Sequence, residues 1–178
     1  MGLKRLETLG LIEKIDPNHK LVLAQLERAR RDLLTSAANL PIDDEWAYTI
    51  AYHAMLRAGR ALLLSFGYRA KGKDQHKTVV QFSATVLGPG FSRLTIRFNQ
   101  MRTKRHAFIY EAEKPISRTE AEKSLRSAQE FVDSGRGPGA CPPSFASRLR
   151  TAKPGGPLPP YSPVDISDGR VASRRLVP

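Results

Sequence analysis

The stretch Asp43-Asp-Glu-Trp-Ala-Tyr-Thr-Ile-Ala-Tyr-His-Ala-Met-Leu-Arg-Ala-Gly-Arg-Ala-Leu-Leu-Leu-Ser-Phe-Gly67 decides the fold. Ala47, Ala51, Ala54, Ala58 and Ala61 recur at spacings of four, three, four and three. That is the period of one face of an α-helix. Small side chains on that face let a neighbouring helix approach closely, and Trp46, Ile50 and Leu62 flank the seam and supply bulk. The acidic start, Asp43 to Glu45, suits the positive end of a helix dipole. Gly67 is a C-terminal stop signal. A helix of this kind belongs at the centre of a bundle.

Helical signals continue on both sides. Asp16-Pro17 puts proline in a first helical turn, where its missing N–H costs nothing. Val22, Leu26, Ala29, Leu33 and Ala37 then form one apolar stripe of a helix that runs to about Asn39 and is ended by Leu40-Pro41. Beyond Gly67, a basic loop from Tyr68 to Lys73 leads to a shorter helix over 74–87, broken by Gly88-Pro-Gly90. A fourth helix is predicted over 91–112. A fifth starts at Ser117 or Arg118, where Ser117-Arg-Thr-Glu120 has capping-box spacing, and buries Ala121, Leu125, Ala128 and Val132. No strand pattern and no repeat are evident. The fold class is all-α, an antiparallel bundle of four to five helices over 16–134. Residues 1–15 read as an N-terminal extension with at most a short helix, weakened by Gly2 and Gly10. Residues 135–178 are Pro/Gly-rich and low in complexity, a composition that cannot offset its ordering entropy, and are expected to be a disordered tail.

The 178 residues suffice for one domain with a core. Hydrophobic content of 40% and charged content of 26% are ordinary, but a net charge of +12 with a pI near 10.3 is not. It points to a polyanion, nucleic acid ahead of a membrane surface, with simple solubility as the bland alternative. Cys141 stands alone, which rules out an intramolecular disulfide and disfavours a thiolate metal site. No apolar run approaches the roughly 18 residues of a membrane span. The N-terminus lacks the apolar stretch of a secretory signal. A cytoplasmic location is therefore expected, with no membrane partner.

The chemistry concentrates in the fourth helix. Arg102, Lys104, Arg105, His106 and Tyr110 fall within nine residues. Arg93, Arg97, Lys104 and Glu111 share one face, which reads as solvated and charged. Arg105 differs, because Leu94, Phe98, Met101, Arg105 and Phe108 step by four, three, four and three and place it in the apolar stripe. Arg102, His106 and Tyr110 border that stripe. A buried charge needs a partner. Arg105 therefore either pairs with a carboxylate or lines a cleft that an anion can reach, and Arg102 and His106 beside it favour the cleft. Of the other histidines, His53 lies next to the alanine seam and reads as a hydrogen-bonded core residue. His76 opens the third helix and either faces the same cleft or caps that helix. No His-Glu-x-x-His spacing and no phosphate-binding loop of the Gly-x-x-x-x-Gly-Lys type occurs, and neither a metal site nor a cofactor is expected.

Trp46 to Tyr68 resembles the second helix of HEPN domains (higher eukaryote and prokaryote nucleotide-binding). Gln75-His-Lys-Thr-Val-Val80, Met101-Arg-Thr-Lys-Arg-His106 and Ala121-Glu to Phe131-Val132 fit the same family in the same order, over about residues 17–134. The resemblance implies a helical bundle, commonly a homodimer, whose charged helix lines a shared cleft. It also implies RNA or nucleotide as ligand, a toxin–antitoxin or defence setting, and a nucleotidyltransferase antitoxin as partner. Many members are metal-independent ribonucleases whose motif is an arginine, usually a polar residue, then a histidine after four to six intervening positions. The arginine would orient phosphate and the histidine would assist 2′-hydroxyl attack. Here Arg105 is followed by His106, and Tyr110 stands where that histidine is expected. A phenol with a pKa of about 10 is a poor base at neutral pH. The leading reading is an RNA- or nucleotide-binding protein that lacks the usual catalytic histidine and uses Arg102, Lys104, Arg105 and His76, with His106 and Tyr110 as the catalytic candidates. The alternatives are a metal-independent endoribonuclease toxin and a non-catalytic structural or interaction module.

Overall fold

A computed structural model of the chain describes residues 2–16, 18–111 and 115–134, with 108–111 described by backbone alone. Among them the element order is α1 (Leu3–Thr8), β1 (Ile12–Lys14), α2 (His19–Asn39), α3 (Asp44–Ser65), β2 (Tyr68–Ala70), α4 (Gln75–Leu87), a 3-10 turn (Pro89–Phe91), α5 (Ser92–Glu111) and α6 (Arg118–Asp133). The predicted tail, together with Pro17 and Ala112, lies outside the described residues. No helix among the described residues is long and apolar enough to cross a membrane.

Asp43 starts α3 by accepting from the Glu45 and Trp46 amides at 2.8 and 2.9 Å. Fourteen of the 22 residues of α3 are buried, too many for a helix covered on one side. It touches α2, α4, α5 and α6, and so sits at the centre as its alanine seam predicts. The bulk around it comes from Tyr48, Tyr52, Met55 and Leu56. Trp46, expected to share that role, is 61% exposed. It lies on a stripe with Ile50, His53, Arg57 and Arg60 that no helix fully covers.

The predicted stripe of α2 is buried throughout, and Asn18 caps the helix by accepting from the Leu21 amide. Ser36 Oγ donates to the Ala47 carbonyl at 2.7 Å, and Arg57 Nε donates to Asp32 Oδ2 at 2.5 Å. One sequence falls as the other rises, so α2 and α3 form an antiparallel hairpin. The pairs Arg93–Glu130, Arg97–Ser124 and Lys104–Glu120 give α5 and α6 the same relation.

Two strands are present where the sequence suggested none. At three residues each they are too short to show an alternating pattern. They pair antiparallel with Ile12 opposite Ala70 and Lys14 opposite Tyr68, and the Arg69–Glu13 ion pair ties them across the ladder. This ribbon brings residues 3–14 onto the bundle, with Leu6 and Ile12 in the core. It also returns the chain along α3. Tyr52 then meets His76 and Phe66 meets Phe82, so α4 runs in the same sense as α3. Gly67, at φ +75°, makes the reversal into the ribbon.

Neighbouring helices come close to α3 at Gly59. A Cβ there would lie 2.5 Å from Val79 Cγ1 and 3.4 Å from Phe98 Cε1, so α4 and α5 both close on this position. Alanine improves helix propensity by about 1 kcal/mol, whereas overpacking costs about 1–3 kcal/mol. Gly59→Ala is expected to be destabilising, by up to about 2 kcal/mol in urea unfolding. A midpoint equal to or above wild type would mean that Val79 moves aside freely.

Candidate functional site

The C-terminal half of α5 passes the start of α4, and between them opens a cleft of about 340 Å³. From α5 come Arg102, Arg105 and His106. The loop and first turn of α4 bring Lys73, Asp74, Gln75, His76 and Lys77, and α3 adds Arg60. Five cations thus face one carboxylate.

Arg105 is placed by the apolar stripe of α5, since Leu94, Phe98 and Met101 are buried and fix the rotation of the helix. Its guanidinium lies over the Tyr52 ring, 5.5 Å from the centroid, a cation–π contact that suits a charge at the edge of the core. Its Nε is buried and has no hydrogen-bond acceptor among the described residues. Among the described residues no carboxylate forms an ion pair with Arg105. Arg102 is steadied by its own helix, through Asn99 Oδ1 at 3.1 Å and Thr103 Oγ1 at 3.2 Å. Two of its five N–H donors suffice for that.

Tyr52 links the cleft to the core. It is fully buried and packs against Phe98, His53 and His76. Burial pushes its phenol up to about 12, despite the opposing pull of Arg105, Arg102 and Arg60. Its hydroxyl lies 2.9 Å from His76 Nδ1. Burial, then Arg60 and Arg105, pull His76 down to about 4. At neutral pH the imidazole is uncharged, and its Nδ1 is engaged by the Tyr52 hydroxyl. Half-buried His53 is held below its usual pKa by burial and by Arg105, and it does not line the cleft. Burial, then Arg57, lowers Arg60 as well, though a guanidinium remains charged throughout the physiological range.

The structure brings together four of the predicted residues, Arg102, Arg105, His106 and His76. Lys104 is on another side of α5, its ammonium held by Glu120. The face it shares with Arg93 and Arg97 is not simply solvated. Arg93 pairs with Glu130, and Arg97 donates to Ser124 Oγ at 3.0 Å, so the face is laced to α6. That lacing also diverts the capping box. Ser117 Oγ accepts from the Glu120 amide, while the Glu120 carboxylate turns to Lys104. The side chain of Tyr110 lies outside the described residues. Among the described residues no three His, Cys, Asp or Glu side chains gather as metal ligands would. Sequence reading missed Arg60, whose signal is the polar stripe of α3 continuing from His53 and Arg57. It also missed Lys73 and Lys77, which only the return through β2 carries to α5.

A family model described as HEPN domain matches residues 22–137, more than half of the chain. The chain belongs to the HEPN domain family. This HEPN domain includes α3, α4, α5 and α6 and nearly all of α2, and so both walls of the cleft. Membership relates the chain, at the level of the family, to nucleotide- and RNA-related proteins. No curated protein matches the chain.

A depressed histidine pKa has a consequence for stability. Folded His76 binds its proton near pH 4, whereas an unfolded chain does so near 6.5, so unfolding takes up a proton between these values. The stability due to neutral His76 is complete above about pH 6.5 and is lost as the pH falls toward 4. His76→Asn should therefore lose less melting temperature than wild type across that interval. In NMR titration the His76 ring should stay neutral well below pH 6. Titration near 6.5 in the folded protein would contradict the assigned environment.

Proposed function

We propose that this HEPN domain binds RNA or a nucleotide through its phosphates, with Arg102, Arg105, Arg60 and His76 as the contacting residues. The observation that supports it is Arg105, half-buried over Tyr52, with a buried Nε that no described acceptor meets. A guanidinium in that position offers a rigid fork to a phosphate. Around it Arg60 and Arg102 add positive charge, and His76 lines the same cleft. Lys104 is left out of the proposal because its ammonium is engaged by Glu120.

A second reading is a metal-independent endoribonuclease. The observation favouring it is that His106 lines the cleft beside Arg102 and Arg105. His106 would then act as base, since Nδ1 of His76 is already engaged by Tyr52. By the resemblance Tyr110 stands where the family's histidine is expected, which supports binding without cleavage as the first reading.

Binding of labelled single-stranded RNA, followed by anisotropy across a salt series, tests both. Affinity should fall steadily with log salt, by a slope of about −0.7 per phosphate neutralised on a single strand. Arg102→Ala/Arg105→Ala should weaken binding by at least about tenfold and flatten that slope. No binding at low salt, or an unaffected double variant, would sink the first reading. Incubation of the same RNA without metal addresses the second, which predicts products with wild type and none with His106→Ala. Intact RNA in both cases removes it.

The proposal extends to assembly. A homodimer, and a toxin–antitoxin or defence setting with a nucleotidyltransferase antitoxin, rest on the family, and the homodimer also on exposed Trp46 and Ile42. Light scattering should give twice the monomer mass, and a co-expressed nucleotidyltransferase should co-purify. A monomer that retains no such partner would remove this extension.

A further inference from the structure

The segment ahead of the family match is built into the fold. Residues 3–15 precede position 22, where the match begins, yet they place fully buried Leu6 and Ile12 in the core. Through α1 the segment packs against α4, and through β1 it pairs with β2. It thus holds both the loop between α3 and α4 and the helix into which that loop leads.

Its grip on the loop extends from Gly67 to Lys71. The Ile15 amide donates to the Gly67 carbonyl at 3.0 Å, and the Lys71 amide donates to the Leu11 carbonyl at 2.8 Å. Between these bonds Glu13 pairs with Arg69 and, at 3.3 Å, with Lys71. Arg69 and Lys71 hold the Glu13 carboxyl below its usual pKa, so it stays ionised at neutral pH. The Tyr68 hydroxyl donates to Glu7 Oε1 at 2.9 Å.

The cleft begins two residues beyond the last of these bonds. Lys73 to Lys77 form one edge of it. Gly72, between Lys71 and Lys73, has φ +84° and open space where a Cβ would lie. Nothing packed on Gly72 fixes the direction in which the chain leaves it. Among the described residues the Asp74 side chain makes no capping hydrogen bond to the first turn of α4. Local structure therefore holds this edge weakly. The Tyr52–His76 hydrogen bond steadies it from the core, and the anchored Lys71 steadies it from the loop.

We propose that residues 3–15 are a strap that sets where Lys73 and the first turn of α4 stand at the cleft. Loosening the strap then reshapes one wall of the cleft while the helical bundle stays folded. The strap follows from the loop geometry alone; its effect on a ligand rests on the phosphate-binding reading above.

Backbone relaxation of the ¹⁵N-labelled full chain, with Leu6→Ala as the variant, tests it. That substitution leaves every cleft residue in place and empties the anchor of the strap in the core. In wild type the amides of Lys73 to Lys77 should show order parameters of about 0.85, the value of rigid backbone. In the variant they should fall below about 0.6, together with those of residues 11–15, while the centre of α3 stays at about 0.85. A fall confined to residues 11–15 overturns the inference, because the strap would then hold only itself. An edge already mobile in wild type overturns it too. If Leu6→Ala loosens α3 as well, Glu13→Gln/Tyr68→Phe, which keeps the core filled, decides by the same comparison. Labelled single-stranded RNA should bind the loosened variant at least about threefold more weakly at low salt, since Lys73 is present but no longer held in place. Undiminished affinity alongside a mobile edge overturns the role of the strap at the cleft and leaves phosphate binding intact. A wild type that binds no RNA at low salt overturns the phosphate-binding reading alone, and relaxation still decides for or against the strap.

Discussion

How closely each helix can come to α3 determines the rest of this structure. The alanine seam admits one neighbour, and Gly59 admits two more on another side, where Val79 and Phe98 fill the space a side chain would take. Large residues on α3 are confined to the remaining directions, from which Arg60 lines the cleft and buried Tyr52 meets His76 and Arg105. Packing density in protein interiors leaves little freedom for adjustment, so these distances fix the helix axes. The separation between α4 and α5, and hence the width of the cleft, is inherited from the core.

The cleft concentrates like charges at some expense to stability. Arg60, Arg102 and Arg105 all act on His76 and lower its affinity for a proton. Two of them have another attachment: Arg105 rests on an aromatic face, and Arg102 is bonded to Asn99 and Thr103, while Arg60 is half-buried. Elsewhere, several basic residues are matched by acids, as in Arg57–Asp32, Arg118–Asp44 and Lys104–Glu120.

Much of this was legible in the sequence because helical periodicity carries it. The stripe from Val22 to Ala37, the seam from Ala47 to Ala61 and the position of Arg105 in an apolar row follow from spacing alone. Trp46 was misread because residue size says nothing about which side of a central helix lacks a neighbour. The ribbon of β1 and β2 was invisible since three residues per strand are too few for a pattern, and its pairing spans more than fifty positions. For the same reason Lys73 and Lys77 could not be assigned to the cleft. Proximity created by a long-range return has no local signature.

The lacing of α5 to α6 has a mechanical meaning. Arg93, Arg97 and Lys104 grip α6 at three levels, while the arginines of the cleft project from other sides of the same rod. The grip therefore acts as a clamp against torsion, aiming one side of α5 by holding another. A single residue inserted between Arg97 and Arg102 would turn everything beyond it by about 100° and advance it by about 1.5 Å. It would swing Arg105 away from Tyr52 even with every side chain retained. In this segment, the length of the chain constrains the recess as tightly as the identity of its residues.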